Sequence, residues 1–199
     1  MIDPINMTRY GQTKNELEET LLFACCVAGK NAVTTAKVLD KFLLAVHDTI
    51  HLTWGDNRKY RPFKTLRDFY EIYGEKRVAS LLAASGIGCY NHRARTFWEL
   101  IDSGLNLKTC TTQDLENIWG IAEKTSRFFL LHTRADVRYA ALDRHILSHM
   151  RSLGCEFPKG QPSGKRYLKL EQDFLNLADE SGLTVAEFDL NLWRKYSQR

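Results

Sequence analysis

Gly120-Ile121-Ala122-Glu123-Lys124-Thr125, with Leu142-Asp143-Arg144-His145 returning so that Asp143 stands nineteen residues after the lysine, decides how this 199-residue chain is read. A glycine between two helical stretches permits a tight turn, and Lys124 then falls in the first turn of the second helix. The first turn of a helix exposes unpaired N–H groups and a partial positive charge, so helix stability gives no reason for a cation there. The same dipole, with partial burial, lowers an amine's pKa and favours its neutral, nucleophilic form. Asp143 closes an apolar approach, Ala140-Ala141-Leu142, to another helix start. Each feature also has a plain structural reading. A glycine between helices ends the first, a lysine is a solvated surface group, and an acid at a helix start is an N-cap.

Around this stretch the periodicity is helical nearly throughout. Leu17, Thr20, Leu21, Ala24 and Ala28 share one face, with Gly29 ending that helix. Ala36, Leu39, Phe42, Leu43 and Val46 predict a second helix over 33–46, and residues 54–63 read as a polar, basic loop that includes Arg58, Lys59 and Arg61. Helical spacing resumes over 66–73 and 78–84, separated by Gly74, and again from Tyr90 to Ile101. Thr111 with Asp114 is a capping signal. Further helices are predicted over 125–131, 143–153, 169–179 and 185–196, with a loop over 157–164. No stretch alternates with period two, which predicts an all-α fold.

Composition narrows the classes. Hydrophobic residues make up 44% of the chain, enough for a sizeable core, and the net charge of +4 is compatible with a polyanionic partner without requiring one. Cys25, Cys26, Cys89, Cys110 and Cys155 are odd in number and scattered. That argues against a disulfide scaffold and an iron–sulfur cluster, and for a reducing compartment. No HExxH pattern occurs, so neither metal nor cofactor is expected. The apolar run over 21–28 is too short to cross a bilayer, so the expectation is a soluble, cytoplasmic protein with no membrane partner.

A turn that holds a phosphate, an amine nucleophile and an isolated acid are the parts needed for chemistry at a sugar C1′ in DNA. In this combination the chain resembles the helix–hairpin–helix DNA glycosylase superfamily, whose motif is a hairpin ending in glycine-x-lysine with an aspartate some eighteen or nineteen residues on. Asp143-Arg144-His145-Ile146-Leu147 is most similar to the second, archaeal and bacterial family of 8-oxoguanine DNA glycosylase/AP lyases. Tyr90-Asn91-His92-Arg93-Ala94-Arg95 and Phe188-Asp189-Leu190-Asn191-Leu192-Trp193 resemble two further segments of that family. The chain departs from the pattern at Trp119, where the family usually has proline, and at Ala122, where it usually has glycine. The latter puts the hairpin's DNA contact in question, because alanine tolerates a strained turn less well.

The resemblance implies two all-α lobes with the active cleft between them: residues 14–133 with the hairpin, and 1–13 plus 134–199. It implies a bifunctional glycosylase/AP lyase, a DNA-associated monomer acting on double-stranded DNA that contains a damaged or modified base, with 8-oxoguanine the expected one. Lys124 would be the nucleophile and Asp143 would steady positive charge and move a proton. Gly120, Ile121, Ala122, Arg144 and His145 would hold the DNA backbone. Lys30 or Asn31, after the first long helix, would fill the gap left by a flipped base, and Phe128, Phe188 and Trp193 would line its pocket, although aromatics of this kind are more often plain core. Two other functions stay open. One is transfer of an amino acid onto an activated thymine in DNA, as in viral enzymes on the same scaffold. The other is a non-catalytic DNA-binding module in which Lys124 only adds charge.

Overall fold

The computed structural model describes residues 2–54 and 60–197. Among them all regular structure is helical: α1 (Lys14–Val27), α2 (Ala32–Trp54), α3 (Pro62–Ser85), α4 (Tyr90–Asp102), α5 (Thr112–Glu116), α6 (Glu123–Thr133), α7 (Arg144–Ser152), α8 (Gly164–Ser181) and α9 (Val185–Ser197). Arg58 and Lys59 of the basic loop, and the terminal Gln198 and Arg199, lie outside the described residues.

Local signals fix most helix starts. Thr13 and Thr111 each close a capping box, with Glu16 on α1 and Asp114 on α5. α2 outruns its expected end at 46 because Ile50 extends the buried stripe of Leu43 and Val46 by one turn. The two stretches expected at 66–73 and 78–84 are the two helical arms of α3, which meet in a kink at Gly74, where the backbone is non-helical at φ 74° and ψ 167°. That backbone is open to glycine and strained for other residues.

The chain divides into two compact units. The first comprises the residues through Pro4 and Gln12–Ile121, and so carries α1–α5. Its core holds Leu21, Phe23, Phe42, Phe69, Leu82 and Phe97, with α3 packed on α2 and α4. The second comprises Ile5–Gly11 and the chain from Ala122 onward, with α9 packed on α6, α7 and α8. Hydrogen bonds tie its early segment in. Arg9 N–H donates to the His132 carbonyl at 2.9 Å, and the Arg194 guanidinium donates to the Ile5 carbonyl at 2.9 Å. The division therefore follows Ile121 and not Thr133, and α6, with Lys124, goes with the second unit.

The physical reason lies in what α6 buries. Leu131 joins Leu142, Ile146, Tyr167 and Phe174 in one apolar cluster. Arg127, also on α6 and 6% exposed, donates from Nε to both carboxylate oxygens of Glu171 on α8, at 2.9 and 3.1 Å. Glu171 Oε1 also accepts the Ala140 N–H at 2.9 Å, and the Tyr167 hydroxyl donates to the Ala140 carbonyl at 2.6 Å and accepts the Leu142 N–H at 3.1 Å. α8 thus pins both α6 and the extended approach to Asp143. Removing one member of a buried pair leaves the other charge uncompensated. Glu171→Ala is accordingly expected to cost about 3–5 kcal/mol, read as a lowered denaturant midpoint, with Glu171→Gln losing less because it still accepts from Ala140.

Candidate active site

Lys124 sits in the first turn of α6 and is half-buried. Its ammonium lies 5.3 Å from the centre of the Phe128 ring one turn on. Burial pushes the amine's pKa below the ordinary lysine range, while the Asp143 and Asp189 carboxylates pull it back up. Burial wins, so the neutral amine is more accessible than on a surface lysine.

Asp143 is the N-cap of α7. Its Oδ1 accepts the N–H groups of His145 and Ile146 at 2.8 and 2.9 Å. The structural role is therefore real, and it leaves Oδ2 outside the cap. Burial, followed by the Asp189 carboxylate, holds the Asp143 pKa above the usual range, against the opposing pull of the Ile146 N–H, Lys124 and His145. Lys124 and Asp143 both belong to the second unit, so they do not face one another from two lobes as the sequence suggests.

Asp189 is the residue that sequence reading missed. It was visible only as part of the α9 segment Phe188-Asp189-Leu190, with no sign of what it touches. It is 7% exposed, and its carboxylate stands 3.4 Å from Nε2 of His132, which is itself 1% exposed. Nδ1 of His132 is 2.8 Å from the Thr8 hydroxyl. The chain thus places a second buried carboxylate within the electrostatic reach of Lys124 and Asp143, held from behind by a histidine and a threonine.

The hairpin turn divides into a constrained and an unconstrained half. Gly120 has φ +87°, and a Cβ there would meet the Thr96 hydroxyl and the His92 ring of α4. Ile121 buries its side chain and donates its N–H to the Ile118 carbonyl at 3.1 Å. Ala122 is exposed, with φ −116° and ψ 176°, ordinary extended backbone. The strain expected of alanine at this position is absent. Ala122 is the N-cap of α6 and makes no side-chain cap bond.

The remaining candidates separate. Arg144 is exposed and His145 half-buried on either side of the cap. Asn31 spends its side chain capping α2, accepting the Thr34 N–H at 2.9 Å, whereas Lys30 is exposed beside Gly88. Phe128 is half-buried against Lys124 and His132. Phe188 is half-buried and packs on Phe174 and His149 at the edge of the second unit's core. Trp193 is half-buried on α9. His47 and His51, and likewise His145 and His149, stand four residues apart, but no group of three or more potential metal ligands gathers among the described residues. No described helix is long and apolar enough to cross a membrane.

With this geometry in view, similarity to known proteins is informative. No protein-family model matches the chain. An 8-oxoguanine DNA glycosylase/AP lyase of Thermotoga sp. (strain RQ2) is 38% identical over 81 residues, covering 40% of this chain and 38% of the relative. The enzyme of that name from Methanocaldococcus jannaschii is 30% identical over 103 residues, covering 51% and 49%. The matched stretches thus span half or less of the relatives' length. Among solved structures, the 8-oxoguanine DNA glycosylase of Thermotoga maritima is 24% identical with a TM-score of 0.63, covering 94% of this chain and 82% of that one. The M. jannaschii 8-oxoguanine glycosylase/lyase in complex with a 15mer DNA containing 8-oxoguanine is 18% identical with a TM-score of 0.67, covering 95% and 84%. The chain has the all-α fold of these glycosylases.

The electrostatics of the site can be checked directly. Asp189 acts on Lys124 by favouring its charged form and on Asp143 by disfavouring its charged form, so it raises both pKa values. In Asp189→Asn both are expected to fall. Heteronuclear NMR of isotope-labelled lysine side chains is expected to show Lys124 titrating below the other lysines in the wild type, and lower still in the variant.

Proposed function

We propose that this chain is a DNA glycosylase/AP lyase that excises an oxidised purine, 8-oxoguanine, from duplex DNA. One observation carries the reading. In a fold shared with such enzymes, a helix-start lysine has its pKa lowered by burial beside a carboxylate fixed as a helix N-cap. A surface lysine in a binding module has no need of that environment.

The chemistry follows from the two groups. The neutral Lys124 amine attacks C1′ of an extruded nucleotide as the bond from C1′ to the base nitrogen breaks, and the base leaves with the electron pair and takes up a proton. Asp143, ionised, offsets positive charge developing at C1′ and accepts the proton lost by the amine. Opening of the sugar ring, with O4′ protonated, gives a Schiff base between C1′ and Nζ. Loss of a C2′ proton then expels the 3′ phosphate, and water hydrolyses the imine to free the lysine. Asp189 is a positioning residue in this scheme: with His132 behind it, it sets how readily Lys124 and Asp143 exchange their proton.

The other assignments follow the geometry. Because Ile121 spends its N–H on Ile118, the backbone donors offered to a DNA phosphate are those of Ala122 and the first turn of α6. Arg144 and His145 add backbone contacts beside Asp143. Lys30 is the better gap-filling candidate, since Asn31 is committed to its cap. Phe128 and Trp193 are the aromatic faces for the base.

Borohydride trapping on duplex DNA with one 8-oxoguanine tests the proposal. The wild type is expected to form a covalent complex and Lys124→Ala none. Asp143→Asn is expected to slow base release by about 10²–10⁴-fold. Absence of both a complex and base release on oxidised and abasic duplexes would overturn the reading in favour of transfer or plain binding.

A further inference from the structure

The first unit carries an arrangement that the lysine chemistry does not use. Trp119, immediately before Gly120, is 37% exposed, which is unusual for so large an apolar ring. Its faces are not idle. The His92 ring lies 4.3 Å from it, centre to centre, at 35°, and the Arg95 guanidinium carbon lies 4.2 Å from its centroid. Both partners come from α4, one turn apart. Gly120 locks the turn onto that same helix, because its Cα approaches Thr96 and His92 too closely to carry a side chain.

We propose that Arg95, stacked on Trp119 and steadied by His92, is a DNA phosphate clamp beside the hairpin; this rests on the reading of the chain as a DNA enzyme. A guanidinium laid against an aromatic face keeps its N–H donors in its own plane, directed away from the ring, and loses less freedom on binding than a free arginine. The ion pair of Arg95 with Glu99 is weak: Nε stands 3.6 Å from the carboxylate across one helical turn, with both side chains about half exposed. Exposed pairs of this kind contribute little and exchange readily for a better anion. The terminal nitrogens stay available for the bidentate geometry that a phosphate offers. The partner is a phosphodiester backbone and not a base edge. A guanidinium fork can also take the O6 and N7 of guanine, but one mounted beside the hairpin turn, the element proposed to meet the backbone, is placed for phosphate.

The test is the salt dependence of duplex binding by fluorescence anisotropy, on wild type, Arg95→Ala, Arg95→Lys, Trp119→Leu and the Arg95→Ala/Trp119→Leu double variant, each checked for folding by circular dichroism. Loss of one phosphate contact is expected to reduce the slope of log K against log salt by about 1 in Arg95→Ala, and affinity at moderate salt by roughly 5–10-fold. Arg95→Lys is expected to keep the slope but not the full affinity, because lysine keeps the charge and loses the stacked fork. Trp119 acts only through the arginine, so the double variant is expected to bind no more weakly than Arg95→Ala alone. An additive double variant, or an unchanged slope in Arg95→Ala while the wild type binds duplex and traps 8-oxoguanine DNA, would overturn the clamp and leave the proposed activity standing. A wild type that neither binds duplex nor traps would overturn both.

Discussion

The candidate site depends on one buried carboxylate, that of Glu171. It takes the Arg127 guanidinium of α6 on one side and the Ala140 backbone N–H on the other. Arg127 is one helical turn beyond Lys124, and Ala140 is three residues before Asp143. The amine and the acid are separated by a long stretch of chain, yet a single side chain on α8 fixes both segments. Buried ion pairs are weak contributors to net stability, because desolvation offsets most of the attraction. Specification of geometry is a better account of this one. An apolar pair of the same volume would hold the helices together, but it would leave the Ala140 N–H unsatisfied and free to choose another partner.

On that frame the electrostatics are a contest between burial and charge. Burial lowers the pKa of Lys124 and raises that of Asp143, and each shift favours the neutral form of its group. The attraction between the two opposes both shifts. Asp189 breaks the symmetry by favouring a proton on the lysine and on Asp143 alike. A site built only from lysine and one aspartate would be left to burial and their mutual attraction alone. Asp189, held by His132, acts on both groups at once, which suits the amine chemistry proposed for Lys124.

The sequence made the helices legible because their signals are local. Capping boxes at Thr13 and Thr111 and apolar stripes at helical spacing depend on residues three or four apart. The lysine and aspartate proposed for the chemistry stand out in the sequence because their spacing matches a known motif. Three things were not legible, each for the same reason. The allegiance of α6 is decided by Glu171, more than forty residues away from Arg127. The importance of Asp189 is decided by His132 and Thr8, brought together from distant parts of the chain. The pairing of Trp119 with Arg95 needs the turn to fold back on α4. Contacts of long sequence separation leave no periodic trace.

The hairpin shows how a departure from a motif is absorbed. Two positions in the turn are expected to be glycine, and this chain keeps only the first. Gly120 cannot change cheaply, because both its positive φ and its contact with α4 forbid a Cβ. Ala122 sits in extended backbone with its methyl exposed, so nothing in the backbone demands glycine there. What the position does require is a side chain that leaves the helix start alone. Serine, threonine or aspartate at an N-cap would turn back and occupy the first-turn N–H groups. Alanine cannot, and α6 accordingly begins with no side-chain cap. A helix start that forgoes a cap gives up roughly 1 kcal/mol of stability, a sacrifice that makes sense where those N–H groups are to meet an anion from outside the chain. Glycine and alanine are equivalent by that criterion, which is why the substitution leaves the proposed phosphate contact intact.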